Sequence, residues 1–190
     1  MVKCFARISM RFPVSLLLIF LIAAFIPISG DLRLSHESVK KLNKSMAGIY
    51  AGHITHFEKL ELSNQEISDP EILNADGKWF AIREEGTTLG WLMADRIWGR
   101  YHEFEYALIV DTTCRIINVS VLSYPASHGN AVTGRKWLNG FRGFSPDSLP
   151  VFGANVDALS GSTISGTNLT ESVSTSLGIL KKLKEGDLLK

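Results

Sequence analysis

The run Glu103-Phe104-Glu105-Tyr106-Ala107-Leu108-Ile109-Val110-Asp111, its continuation Thr112-Thr113-Cys114, and the run Arg115-Ile116-Ile117-Asn118-Val119-Ser120-Val121-Leu122-Ser123-Tyr124 together decide the fold. The first run reads as a strand that ends at the polar Asp111-Thr112-Thr113, a composition that favours a turn. In the second, Ile117, Val119 and Val121 alternate with Asn118 and Ser120, the period of two that a strand with one apolar face requires. Further back, Thr88–Trp98 and Lys78–Arg83 read as strands on either side of a turn near Glu85-Gly86, and Ile54–Leu62 is a further candidate. Closely spaced strands with short turns predict an antiparallel meander.

On the other side of these strands, residues 125–134 form a loop of small and polar residues. Arg135–Phe141 reads as a short helix that turns Trp137, Leu138 and Phe141 inward, and residues 143–154 form a second loop with Pro146 and Pro150. Ile164, Leu169, Val173, Leu177 and Leu180 then recur at helical spacing. Lys181, Lys182 and Lys184 lie near the end of that helix, where cations complement the backbone dipole. Near the N-terminus, Val39, Leu42, Met46 and Ile49 step by three, four and three, with Lys40, Lys41 and Lys44 on the opposite face. That is an amphipathic helix over 36–50. Asp69-Pro70 is expected to break whatever precedes it. The fold class is α+β: an antiparallel sheet with helices packed on one side, preceded by an N-terminal membrane or signal helix.

That first segment carries Lys3, Arg7 and Arg11 and then an uncharged stretch from Phe12 to Gly30, nearly all apolar over Pro13–Ile28. Cations followed by an apolar run describe a signal peptide or a signal anchor. The run is short for a spanning helix, which needs about 20 residues, and Ser29-Gly30 would permit cleavage; both fates stay open. Either way the positive-inside bias sends residues 31–190 across the membrane, an extracytoplasmic location. The chain divides into 1–30 (export segment), 31–75 (amphipathic helix and linking segment) and 76–190 (the principal domain).

Composition excludes several classes. With 45% hydrophobic and 21% charged residues the chain is not compositionally disordered. Its formal net charge is +1. Subtracting the three cations before residue 31, where there is no acid, leaves −2 for the rest, no footprint for nucleic acid. Cys4 lies in the export segment, so a processed chain keeps Cys114 alone and forms no internal disulfide. Haem-attachment and iron–sulfur spacings are missing from the sequence. Cys114 reads as a small core residue.

The chemistry concentrates in Asp157-Ala158-Leu159-Ser160-Gly161-Ser162-Thr163-Ile164-Ser165, where a turn enters the last helix. A helix N-terminus offers free N–H groups and the positive end of the dipole. Gly161 lets a bulky anion approach the backbone, and the hydroxyls are further donors. From residue types alone two readings stand: Ser and Thr as ordinary helix caps, or a phosphate cradle.

The same string resembles the flavinylation motif of FMN-binding domains, as found in subunits of sodium-pumping quinone reductases and Rnf-type complexes and in periplasmic flavoproteins. In that motif an Asp, two variable residues, Ser or Thr, Gly, a small residue and Thr follow one another. The resemblance extends upstream through Tyr124-Pro125-Ala126-Ser127-His128-Gly129, Trp137-Leu138 and Phe141-Arg142-Gly143, and through the strands from Gly90-Trp91, so that it covers roughly residues 78–180. It implies covalent FMN on Thr163, support of the attachment by Asp157, and a cofactor site that includes Ser160, Gly161 and Ser162; His128, in the upstream loop, is a further candidate that either approaches the flavin or is a structural loop histidine. It further implies maturation by a flavin transferase that delivers FAD with a divalent metal, and electron exchange with a membrane or exported redox protein. The chain departs from the pattern at Ser162, usually Ala, and at Ala126, where a Glu is frequent. The expected function is an extracytoplasmic electron-transfer flavoprotein. The alternatives are a flavin-dependent reductase of a small substrate or quinone, and a non-flavinylated binding or sensing module with the same fold.

Other candidates are weaker. His53 and His56 form an HxxH pair with no third ligand nearby, and Ser38-Val39-Lys40-Lys41 spells SxxK without its companion motifs; no catalytic residue or metal ligand is assigned. Trp91, Trp98, Tyr101, Tyr124 and Trp137 include rings that could stack on a flavin, each expected in the core instead.

Overall fold

A computed structural model describes residues 34–62 and 68–189. The export segment expected over 1–30, Cys4 included, lies outside the described residues, among which no helix is long and apolar enough to cross a membrane. The elements run α1 (His36–Ile49), β1 (His56–Lys59), α2 (Pro70–Asn74), β2 (Trp79–Glu84), β3 (Thr87–Trp98), β4 (Glu103–Asp111), β5 (Ile116–Ser123), α3 (Arg135–Leu138) and α4 (Thr163–Glu185), with short 3-10 turns at Asn130–Thr133 and Asn139–Phe141. The five strands form one antiparallel sheet in sequence order, β1-β2-β3-β4-β5.

β4 lies inside that sheet and is buried along almost its whole length. Phe104, Tyr106, Leu108 and Val110 point to one face and join Leu169, Val173, Leu177 and Leu180 of α4, with Ile72 of α2 and Trp137 and Leu138 of α3. This is the expected α+β arrangement, with α2, α3 and α4 packed on one side. The opposite face, through Ala107 and Ile109 with Phe80, Ile82 and Leu92, takes Leu42 and Met46 of α1. A strand covered on both faces loses its polar alternation. Each fully buried Leu of α4 contributes on the order of 1.5–3 kcal/mol. Tyr106 is tied to α4 by a 2.7 Å hydrogen bond between its hydroxyl and that of Ser172.

Glu105 is the polar exception on β4, and it fastens α1. Its carboxylate accepts from Ser35 N–H (3.2 and 3.3 Å) and Ser35 Oγ (2.9 Å), and from Arg96 Nη2 (2.6 Å). Ser35 also caps α1, its Oγ accepting from Ser38 N–H at 3.3 Å. Burial raises the Glu105 pKa, but hydrogen bonds from Ser38, Arg96 and Ser35 outweigh it and leave the carboxyl below the usual range. The folded pKa being lower than the unfolded one, this stabilisation is present above about pH 4.3 and disappears as pH falls through the folded value. Glu105→Gln is expected to cost ~1–3 kcal/mol at pH 7 and to make the stability less steep in acid. Urea unfolding from pH 7 down to pH 3 checks this; equal acid slopes for the two proteins would refute it.

Four local expectations are corrected. Asp69-Pro70, expected only as a break, also opens α2, with the Asp69 carboxylate accepting from Glu71 N–H at 2.9 Å and Pro70 in the first turn. Lys182 of α4 then reaches both Asp69 (2.8 Å) and Glu71 (2.7 Å). Ile117 leaves the face of Val119 and Val121, because Val110 pairs with Ile116 and Ile109 with Asn118; the extra residue is a bulge that turns Ile117 toward the α1 side. Ile164 is exposed at the start of α4 instead of facing the core. β1 is shorter than the candidate Ile54–Leu62. Cys114 is buried in the core as expected, its thiol pushed up by burial.

Candidate functional site

A cleft of about 320 Å³ opens at the N-terminal end of α4, lined by Arg100, Tyr101, His128, Gly129, Gly161, Ser162, Thr163, Ile164 and Ser165. Three separate segments build it. Thr163 is the first residue of α4, so the N–H groups of Thr163, Ile164 and Ser165 have no carbonyl within the helix to bond. The first intrahelical bond of the turn runs from Gly166 N–H to Ser162 O at 2.8 Å. Gly161, at φ +72°, turns the chain into the helix in a conformation that side chains rarely adopt.

The cap position decides between the two readings of this hydroxyl cluster. Ser162 occupies it, but its side chain makes no capping hydrogen bond. Its Oγ is buried, the residue being 3% exposed, and has no partner. A buried donor left unpaired costs about 1–3 kcal/mol. Ser162 therefore does not serve as a helix cap, and its hydroxyl is buried and unpaired beside the cleft. Beside it Thr163 is exposed, with Oγ1 donating a long 3.3 Å bond to Leu159 O.

The loop after β5 supplies the second wall. Tyr124 Oη donates to His128 O at 3.1 Å and lies 3.0 Å from Ser165 Oγ, which clamps the loop to the first turn of α4. A β-carbon on Gly129 would stand 2.6 Å from Tyr124 Oη, so the close approach requires glycine. His128 is exposed at the cleft, its Nδ1 3.0 Å from Ser127 Oγ. The third wall is the β3–β4 turn. Asn168 Nδ2 of α4 donates to Trp98 O at 2.8 Å, and Gly99 N–H to His102 O at 2.8 Å, which brings Arg100 and Tyr101 to the mouth. No carboxylate lines the cleft.

Of the residues expected at the site, Gly161, Ser162, Thr163 and His128 come together at this cleft. Ser160 and Asp157 are exposed on the approach to α4, outside the lining. The Asp157 backbone is fixed by Trp137 Nε1–H, which donates to its carbonyl at 2.7 Å. Arg100 was not singled out from sequence, and Gly129, Ile164 and Ser165 were named only within the motif strings or as a helix position; the available signal for Arg100 was a four-residue turn between two strong strands, with Arg100-Tyr101 at its tip. Among the aromatics, Trp91 and Trp137 are core, whereas Trp98 and Tyr101 are 62% and 55% exposed, against expectation.

The remaining candidates resolve to structure. His53 Nδ1 pairs with Glu84 at 2.6 Å, and no group of three or more potential metal ligands occurs among the described residues. Ser38 hydrogen-bonds Ser35 at 3.0 Å and Lys41 Nζ donates to Val121 O at 2.6 Å, so the SxxK pair is divided between two separate contacts.

No family model matches the sequence, and no curated protein matches it. Among solved structures, the crystal structure of Shewanella oneidensis NqrC is similar to this chain at 16% identity and a TM-score of 0.45, over 73% of this chain and 87% of that one. A likeness of that size establishes no ligand for this chain.

Proposed function

We propose that the chain is an extracytoplasmic electron-transfer flavoprotein carrying FMN through a phosphoester bond to Thr163 Oγ1. The observation that carries this is the buried, unpartnered hydroxyl of Ser162 beside the exposed hydroxyl of Thr163 at the mouth of α4. The donor set fits a phosphodiester: three helix N–H groups border a cleft whose lining holds no carboxylate, and the unpaired Ser162 hydroxyl is buried directly beside them. The motif from Asp157 to Thr163 supports the same reading.

In attachment, Thr163 Oγ1 forms a bond to the flavin-side phosphorus of FAD, the pyrophosphate P–O bond breaks, AMP leaves, and the Oγ1 proton passes to a base. A flavin transferase holding a divalent cation supplies FAD and neutralises the leaving charge. By the motif, Asp157, exposed on the approach to α4, assists as a metal contact or proton acceptor. When bound, the flavin supplies reversible electron transfer, while the chain supplies orientation and electrostatics. Ser162 Oγ and the first turn of α4 hold the phosphate. Residues 1–30 direct the domain across the membrane, where a membrane or exported redox protein exchanges electrons with it.

The test is coexpression of the full chain with an active flavin transferase, followed by denaturing electrophoresis. Flavin fluorescence that migrates with the polypeptide is expected. A dark band, beside a second target that the same transferase does label, would replace this reading by the non-flavinylated binding module.

A further inference from the structure

Two of the few large apolar side chains left exposed among the described residues line this one cleft: Tyr101 at its mouth and Ile164 (47% exposed) on α4. A phosphate cradle needs neither. The guanidinium carbon of Arg100 lies 5.1 Å from the centroid of the Tyr101 ring, a cation–aromatic stack on the tip of the turn. This turn is held in place: Asn168 grips Trp98 O, and the site of a Gly99 β-carbon is only 3.0 Å from Ser165 Oγ. Arg100 is also the one permanently charged side chain in the lining.

We propose that the β3–β4 turn is the ring-binding wall of the site: Tyr101 packs against a planar aromatic ring system whose phosphate rests at the start of α4, and Arg100 sets the charge that the ring experiences. This rests on the flavin reading above. Reduction by a two-electron donor, with one proton taken from water, adds one negative charge to the ring. A fixed cation with no carboxylate to compensate it inside the cleft favours that charged state. Arg100 thus raises the reduction potential, and Tyr101 quenches the emission of the bound flavin by contact.

The experiment uses the full chain coexpressed with the transferase, as wild type, Arg100→Gln and Tyr101→Leu. Both side chains are exposed, so the variants keep the fold. Three quantities are read: flavin fluorescence on the denaturing gel, fluorescence of the native protein, and the midpoint potential in a dithionite titration. Equal gel fluorescence is expected in all three. Tyr101→Leu is expected to raise native fluorescence several-fold. Arg100→Gln is expected to disfavour the reduced form about tenfold, which is ~30 mV for a two-electron couple. Flavin present on the gel with native emission and potential both unmoved would overturn the ring-wall assignment and leave the Thr163 reading intact. A wild type without flavin on the gel would overturn both.

Discussion

Thr163→Ala is expected to abolish covalent flavin while the fold stays as it is. Thr163 is exposed and its hydroxyl makes only the 3.3 Å bond to Leu159 O, so its loss changes stability by no more than about 0.5 kcal/mol. The phosphoester, by contrast, has no other hydroxyl in an equivalent position. Ser162 precedes the helix and its Oγ is buried; Ser165 Oγ is engaged with Tyr124. Thr163→Ser retains the nucleophilic oxygen and is expected to keep part of the label. Ser162→Ala makes the informative comparison. A helix-capping serine replaced by alanine loses ~1 kcal/mol. Here the side chain caps nothing, and removal of an unpaired buried hydroxyl is expected to leave the unfolding midpoint unchanged or slightly higher, with the label retained. Gel fluorescence and thermal unfolding on the same preparations read both effects. A fluorescent Thr163→Ala protein would move the attachment elsewhere, and a Ser162→Ala protein that melts several degrees lower would return Ser162 to the role of a cap.

Legibility of this fold from sequence follows the range of the interactions involved. β4 and α4 were readable because their signals are local: an unbroken apolar run in one case, a repeat from Leu169 to Leu180 in the other. α1 was readable as an amphipathic helix, but nothing in its own residues says that Leu42 and Met46 meet Ala107 and Ile109, far along the chain. α2 was missed because Asp-Pro signals a break and a helix start equally well; the partner that stabilises it, Lys182, is more than a hundred residues distant. Ile117 was misassigned because a bulge is a property of two strands, not of one. The site divides along the same line. Gly161, Ser162 and Thr163 are consecutive and were legible as a group. Arg100 and Tyr101 reach them only through the pairing of β3 with β4 and the Asn168 contact, so Arg100 gave no local reason to be singled out and Tyr101 stood only among several rings expected in the core.

The same pairing underlies the largest expected change in stability, at Gly90. Gly90 sits in β3 opposite Asp111 of β4, next to a bulge where β2 and β3 shift register between Ile82 and Arg83. A β-carbon there would stand 2.2 Å from Val110 O and 3.3 Å from Asp111 Cα. Both are backbone atoms of the buried strand β4, which cannot turn aside as a flexible side chain would. Tyr50 Oη, at 3.2 Å, closes a third direction. Gly90→Ala must therefore push β3 away from β4, and is expected to cost ~3 kcal/mol or more, a fall in Tm of roughly 6–12 °C at this chain length. Gly48→Ala is the contrasting case: the residue lies in α1 with nothing within 4 Å of the added carbon, so a gain of ~0.5–1 kcal/mol is expected. Thermal unfolding of the two variants beside the parent measures both. Should Gly90→Ala melt with the parent, the close approach of β3 to Val110 is not present in solution.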